Sequence, residues 1–134
     1  MSVYGSMQEL IGNTPLVRLR TDIPDDVRLY AKLELYNPSG SVKDRTGLYM
    51  IRDAEERGIL KKGGTIVVGT AGNTGLGIAF AALGRGYRLI FVVPTKFSAE
   101  KQSLLRALGA EVINTPREEG MLGAERRRRS SPNR

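Results

Sequence analysis

Thr65-Ile66-Val67-Val68-Gly69-Thr70-Ala71-Gly72-Asn73-Thr74-Gly75-Leu76-Gly77 runs from a β-branched stretch, through a glycine-rich turn, into a helix expected over residues 74–84. Thr65 to Val68 suits a strand buried on both faces. The helix is apolar nearly all round, through Leu76, Ile78, Ala79, Phe80, Ala82 and Leu83. The alternation then repeats. Arg88 to Val93 reads as a second buried strand ended by Pro94. Ser98 is placed to cap a third helix with Leu104, Leu105 and Leu108 inward and Gly109 as its stop, and Glu111 to Asn114 is a third strand. Strand, helix, strand, helix, strand with short connections predicts a parallel sheet with right-handed crossovers. The fold class is therefore α/β, a three-layer arrangement of a mainly parallel sheet with flanking helices.

The turn after the first of these strands is suited to an anion. Its glycines let a ligand approach the backbone, and free N–H groups at the helix start point toward it. Gly72 to Gly77 has the glycine spacing of a P-loop, but Ile78-Ala79 follows in place of Lys-Ser/Thr. A dinucleotide site needs G-x-G-x-x-G; the order here is G-x-x-G-x-G, and the next strand ends Val93-Pro94-Thr95-Lys96 with no acid for a ribose. A smaller anion remains, such as a carboxylate held with help from Thr70, Asn73 and Thr74. Glycines serving only a tight turn are the plainer alternative.

Upstream, residues 44–57 carry a helical pattern. Gly47, Met50, Ile51 and Ala54 form its expected inner face, Arg52–Glu56 and Asp53–Arg57 are i,i+4 pairs, and Gly58 is the stop. Before it, Leu16 to Arg20 and Leu29 to Leu35 alternate as half-buried strands, with a turn at Pro24-Asp25-Asp26 between them. That short connection favours an antiparallel pair. Between the pair and the helix lies Asn37-Pro38-Ser39-Gly40-Ser41-Val42-Lys43-Asp44-Arg45, which places Lys43 where a loop becomes a helix. Unpaired N–H groups at a helix start disfavour a second positive charge there, and desolvation would also favour the neutral, nucleophilic amine. Imine formation with a carbonyl is the chemistry that uses such a lysine. A solvated lysine paired with Asp44 is the plainer alternative.

The chain has 134 residues, 40% of them apolar, enough for one domain with a core. It has no cysteine and no histidine, which excludes disulfides, thiol catalysis, Ser–His triads and most zinc sites. The net charge of +7 is concentrated at one end, in Arg126 to Arg129 and Arg134. Without those five, sixteen basic residues face fourteen acidic ones, a balance of +2, so nucleic acid is not the expected partner. No secretory signal and no apolar run long enough to span a bilayer is visible, and a cytoplasmic location is expected.

Three stretches in register resemble one family. Ile11-Gly12-Asn13-Thr14-Pro15-Leu16, Asn37 to Arg45, and Thr70-Ala71-Gly72-Asn73-Thr74-Gly75 are similar in order and spacing to the cysteine synthase (O-acetylserine sulfhydrylase) and cystathionine β-synthase family. These are pyridoxal phosphate (PLP) enzymes of the tryptophan-synthase β-like fold. The resemblance covers about residues 8–125 and implies a role for each stretch. Lys43 would form the imine with PLP and later remove the substrate α-proton. Asn73 would bond the cofactor's ring hydroxyl. Thr70, Ala71, Gly72, Asn73 and Thr74 would bind the amino acid's carboxylate. The implied reaction is β-replacement: O-acetylserine or serine plus sulfide or a thiol, giving cysteine or cystathionine. Ala71 stands where the family usually has serine, a loss of roughly 1 kcal/mol of binding for one neutral hydrogen bond.

The resemblance also predicts an organisation. Residues 1–36 would be a strand pair belonging to a larger domain, 37–125 the α/β domain with the PLP lysine and substrate loop, and 126–134 a disordered arginine-rich tail. Family members are more than twice this length, so the chain reads as a truncated N-terminal portion. The loop for the PLP phosphate and the residue meeting the pyridine nitrogen would lie in the missing half. A truncated form inactive alone is the expectation. A non-catalytic fragment that associates with full-length homologous subunits, or with copies of itself, is the alternative.

Overall fold

The computed structural model describes residues 1–24, 26–95 and 97–116. Asp25 of the expected turn, Lys96, the helix opening expected after Pro116 and the arginine-rich segment lie outside the described residues. The β-branched run forms β3 (Thr65–Val68), followed by α2 (Asn73–Ala82), β4 (Arg88–Pro94), α3 (Ala99–Ala107) and β5 (Glu111–Thr115). The three strands make one parallel sheet in the order β3-β4-β5. Val68 lies opposite Phe91, and Pro94 opposite Thr115.

Spatial order equal to chain order puts both crossover helices on the same face when both crossovers are right-handed. The core agrees. Leu89, Phe91 and Val93 of β4 share one cluster with Leu76 and Ala79 of α2 and Leu105 of α3. Leu48 and Ile51 of α1 (Lys43–Glu56) complete it. The opposite face of the sheet carries a smaller cluster, Ile90 and Val92 with Val67 and Ile113, whose members all come from strands.

Each of the two expected glycine stops follows its helix. Gly58 and Gly109 have φ of +68° and +85°. After α1, Gly58 N–H donates to the Glu55 carbonyl and Ile59 N–H to that of Ala54; after α3, Gly109 and Ala110 repeat the pattern on Arg106 and Leu105. Ser98 caps α3 by accepting the Lys101 N–H at 3.4 Å.

Helix faces differ from expectation in detail. The buried face of α1 is Asp44, Gly47, Leu48 and Ile51, while Met50 is 54% exposed. Leu48, adjacent to Gly47 on the helix, reaches the core that Met50 was expected to fill. On α3, Leu105 is buried and Leu108 packs against the core, but Leu104 is exposed and Gln102 is buried. Gln102 compensates by donating to the Phe97 carbonyl and accepting from Asn114. Arg57 pairs with Asp53, whereas Arg52 lies over the Tyr49 ring, 5.9 Å from its centroid.

The N-terminal pair is β1 (Leu16–Arg18) and β2 (Tyr30–Lys32), antiparallel, with Leu16 opposite Lys32 and Arg18 opposite Tyr30. It is not half-buried: Leu16 is 61% and Tyr30 48% exposed. Alternation in a strand gives one apolar face, and among the described residues nothing covers that face. A 3₁₀ turn at Glu34–Tyr36 replaces the end of the expected second strand.

Candidate active site

Lys43 is the first residue of α1, and its backbone N–H donates to the Ser41 hydroxyl at 3.2 Å. Its neighbour Asp44 does not pair with it. The Asp44 carboxylate is fully buried and turns back to accept the N–H of Ser39 at 2.7 Å and the Ser39 hydroxyl. The loop 39–43 is thus closed by Asp44, and the lysine side chain is left exposed. The desolvation expected for it is not supplied by the described residues.

Two glycines bring the Lys43 backbone against α2. A Cβ on Gly77 would stand 2.3 Å from the Lys43 carbonyl oxygen and 2.9 Å from the Asp44 nitrogen. A Cβ on Gly47 would stand 2.4 Å from the Gly77 carbonyl carbon. Helices α1 and α2 therefore touch backbone to backbone, and Gly77 is about one helical turn from Asn73. Gly75 has a third such contact, with its missing Cβ 2.2 Å from the Thr70 oxygen.

In the turn itself, the Thr70 hydroxyl accepts the Gly72 N–H at 3.1 Å, and Gly72 is the N-cap of α2. The N–H groups of Asn73, Thr74 and Gly75 find no acceptor among the described residues, as the first N–H groups of a helix do unless capped. Asn73 is exposed and Thr74 half-buried, both on the first turn of α2. Ala71 is the exception among the expected site residues. Its methyl group is completely buried in the main core, so its backbone, not its side chain, is what it offers the turn.

A second network, invisible in the sequence, anchors this site from below. Arg45 donates to both oxygens of Glu34, at 2.8 and 3.0 Å, and to the Thr14 hydroxyl at 3.2 Å. Thr14 and the Asn37 amide also donate to Glu34, at 2.7 and 2.9 Å, and Asn37 accepts the Gly12 N–H at 2.8 Å. Gly12 has φ +89°, and a Cβ there would meet the Arg45 guanidinium at 2.9 Å. The hydrogen bonds from Arg45 and then Thr14 lower the Glu34 carboxyl from 4.5 to about 2. The Ile11–Leu16 and Asn37–Arg45 stretches are thus physically one unit, joined through a glutamate that belongs to neither. Only a cation and a hydroxyl already known to be adjacent would have revealed Glu34.

The structure is thus an α/β protein in which a lysine at one helix start lies on a helix packed against a second one, whose first N–H groups have no acceptor among the described residues. Residues 7–132 match the family model described as pyridoxal-phosphate dependent enzyme. The chain belongs to that family, whose cofactor is PLP. It is 54% identical over 125 residues to an O-acetylserine dependent cystathionine β-synthase of Bacillus subtilis, covering 92% of this chain and 41% of the relative. It is 49% identical over 116 residues to a cysteine synthase of a Flavobacterium species, covering 87% of this chain and 38% of the relative. The solved cystathionine β-synthase of Bacillus anthracis superposes with a TM-score of 0.86 at 54% identity, over 99% of this chain and 52% of that one. The chain thus spans about two fifths of the length of these curated relatives. The expected family and α/β fold are confirmed by these matches.

Proposed function

We propose that this chain carries the lysine and the substrate-carboxylate turn of a cysteine synthase-like β-replacement site. Bound PLP supplies the electron sink for loss of the α-proton and of the β-substituent from O-acetylserine or serine. The chain's own residues supply attachment, orientation and proton transfer. Lys43 would hold the cofactor through its amine and would be the base for the substrate α-proton. Thr70, Asn73 and Thr74, with the N–H groups of residues 73–75, hold the carboxylate, and the Asn73 amide meets the ring oxygen. Sulfide or a thiol then completes cysteine or cystathionine.

The observation that supports this reading is the close backbone approach of Lys43 and Gly77, which brings the start of α1 against the first turns of α2. PLP added to the protein and reduced with borohydride should label Lys43, located by peptide mass spectrometry. Lys43→Ala should abolish that label. Labelling spread evenly over Lys32, Lys61 and Lys62 as well would overturn the assignment.

The exposed apolar side chains of the N-terminal ribbon favour a second reading, in which the chain associates with full-length homologous subunits or with itself. Size-exclusion chromatography with and without a full-length homologue distinguishes it: co-elution supports the reading, and independent elution removes it.

A further inference from the structure

Lys101 sits in the first turn of α3, where free N–H groups already carry partial positive charge and a further cation is disfavoured. Its backbone is fixed by the Ser98 cap, the residue is half-buried, and it pairs with no carboxylate among the described residues. Its ammonium reaches across instead to Oδ1 of Asn73, at 3.5 Å. An ammonium has donors only, so of the two ends of an amide it can take only the oxygen.

We propose that Lys101 is a positioning residue for Asn73: it holds the amide oxygen on the α3 side and leaves the Nδ2 hydrogens as the end offered to a ligand. This deepens the proposed function and rests on Asn73 meeting the ligand. Presented this way, Asn73 is a donor, suited to an ionised oxygen. Without Lys101 the amide is free to turn over and set its own oxygen against that charge. The ammonium also adds positive charge beside the turn from an element that carries none of the other site residues.

The test begins without cofactor. In the ¹⁵N-labelled protein, Lys101→Met should shift the two Asn73 side-chain NH₂ resonances, because the oxygen of the same amide loses the ammonium it accepts from. Lys101→Arg should restore both, and the melting temperature should be the same in all three proteins. Unchanged Asn73 resonances in Lys101→Met overturn the proposal. With PLP present, the visible absorbance of the loaded protein reports the ionisation of the ring oxygen. Lys101→Met should move it toward the neutral form and Lys101→Arg should move it back; identical spectra also count against the proposal. Wild-type protein that takes no label at Lys43 would sink the proposed function, while the cofactor-free measurement on Asn73 still decides the role of Lys101.

Discussion

Glu34 shows how a single carboxylate binds two distant segments into one site. It is held by a guanidinium, a hydroxyl and an amide, and these bonds keep its carboxyl titrating at about 2 rather than 4.5. A carboxyl depressed in the folded chain contributes stability that is fully present above the ordinary value and drains away as the pH falls through the folded one. The melting temperatures of wild type and Glu34→Gln should therefore differ by a constant amount near neutrality. The gap should narrow as pH falls from about 4.5 toward about 2. A gap independent of pH would show that the Glu34 charge is not what holds the network. None of this was legible in the sequence. Asn37 is three residues from Glu34, but its other two partners, Arg45 and Thr14, lie 11 and 20 residues away, and no local period connects them. The Lys43–Asp44 pairing failed for the opposite reason: adjacent charges suggested a pair, but residue 44 falls on the inner face of α1 and its carboxylate is satisfied by Ser39.

Among elements, the α1–α2 contact sets the geometry of the site, and it exists because two side chains are missing. A methyl group at Gly77 meets main-chain atoms of Lys43 and Asp44, which cannot swing aside as a flexible side chain can. Gly77→Ala should cost about 1–3 kcal/mol in urea denaturation, the range for overpacking. Gly72→Ala should cost less than about 1 kcal/mol, since its nearest approach is 3.4 Å to the Thr70 hydroxyl and its φ is −75°. Equal costs at the two positions would mean that the helices separate readily. The strands of the parallel sheet, by contrast, were legible almost to the residue. Arg88–Pro94 is buried from its second residue on, as a run without alternation should be; Thr65–Val68 reads as the same kind of run, but only Val68 is buried, because β3 lies at the edge of the sheet. The α1 face was less so: Leu48, Met50 and Ile51 are all apolar, and only packing selects Leu48 and Ile51.

For the whole molecule, the imbalance between its two ends matters most. The parallel sheet has a buried central strand and a shared core, whereas the β1–β2 ribbon leaves Leu16, Val17, Leu19, Leu29 and Tyr30 exposed. Exposed apolar side chains grouped on one ribbon drive association. Sedimentation velocity should show a mean mass rising with concentration, and the double variant Leu16→Lys/Tyr30→Lys should lower that slope. A monomer at every concentration would contradict it. The α/β class was readable from alternation alone, but exposure of the ribbon was not, because alternation fixes which residues share a face and not what covers it. The two ends are nonetheless fastened together by Gln8, whose side-chain amide donates to the carbonyls of Phe80, Ala81 and Leu83 at 3.1, 3.0 and 2.8 Å. These bonds span 72 to 75 positions of chain. During synthesis, residues 7–10 leave the ribosome well before Leu83 and cannot close this clasp until Leu83 has followed.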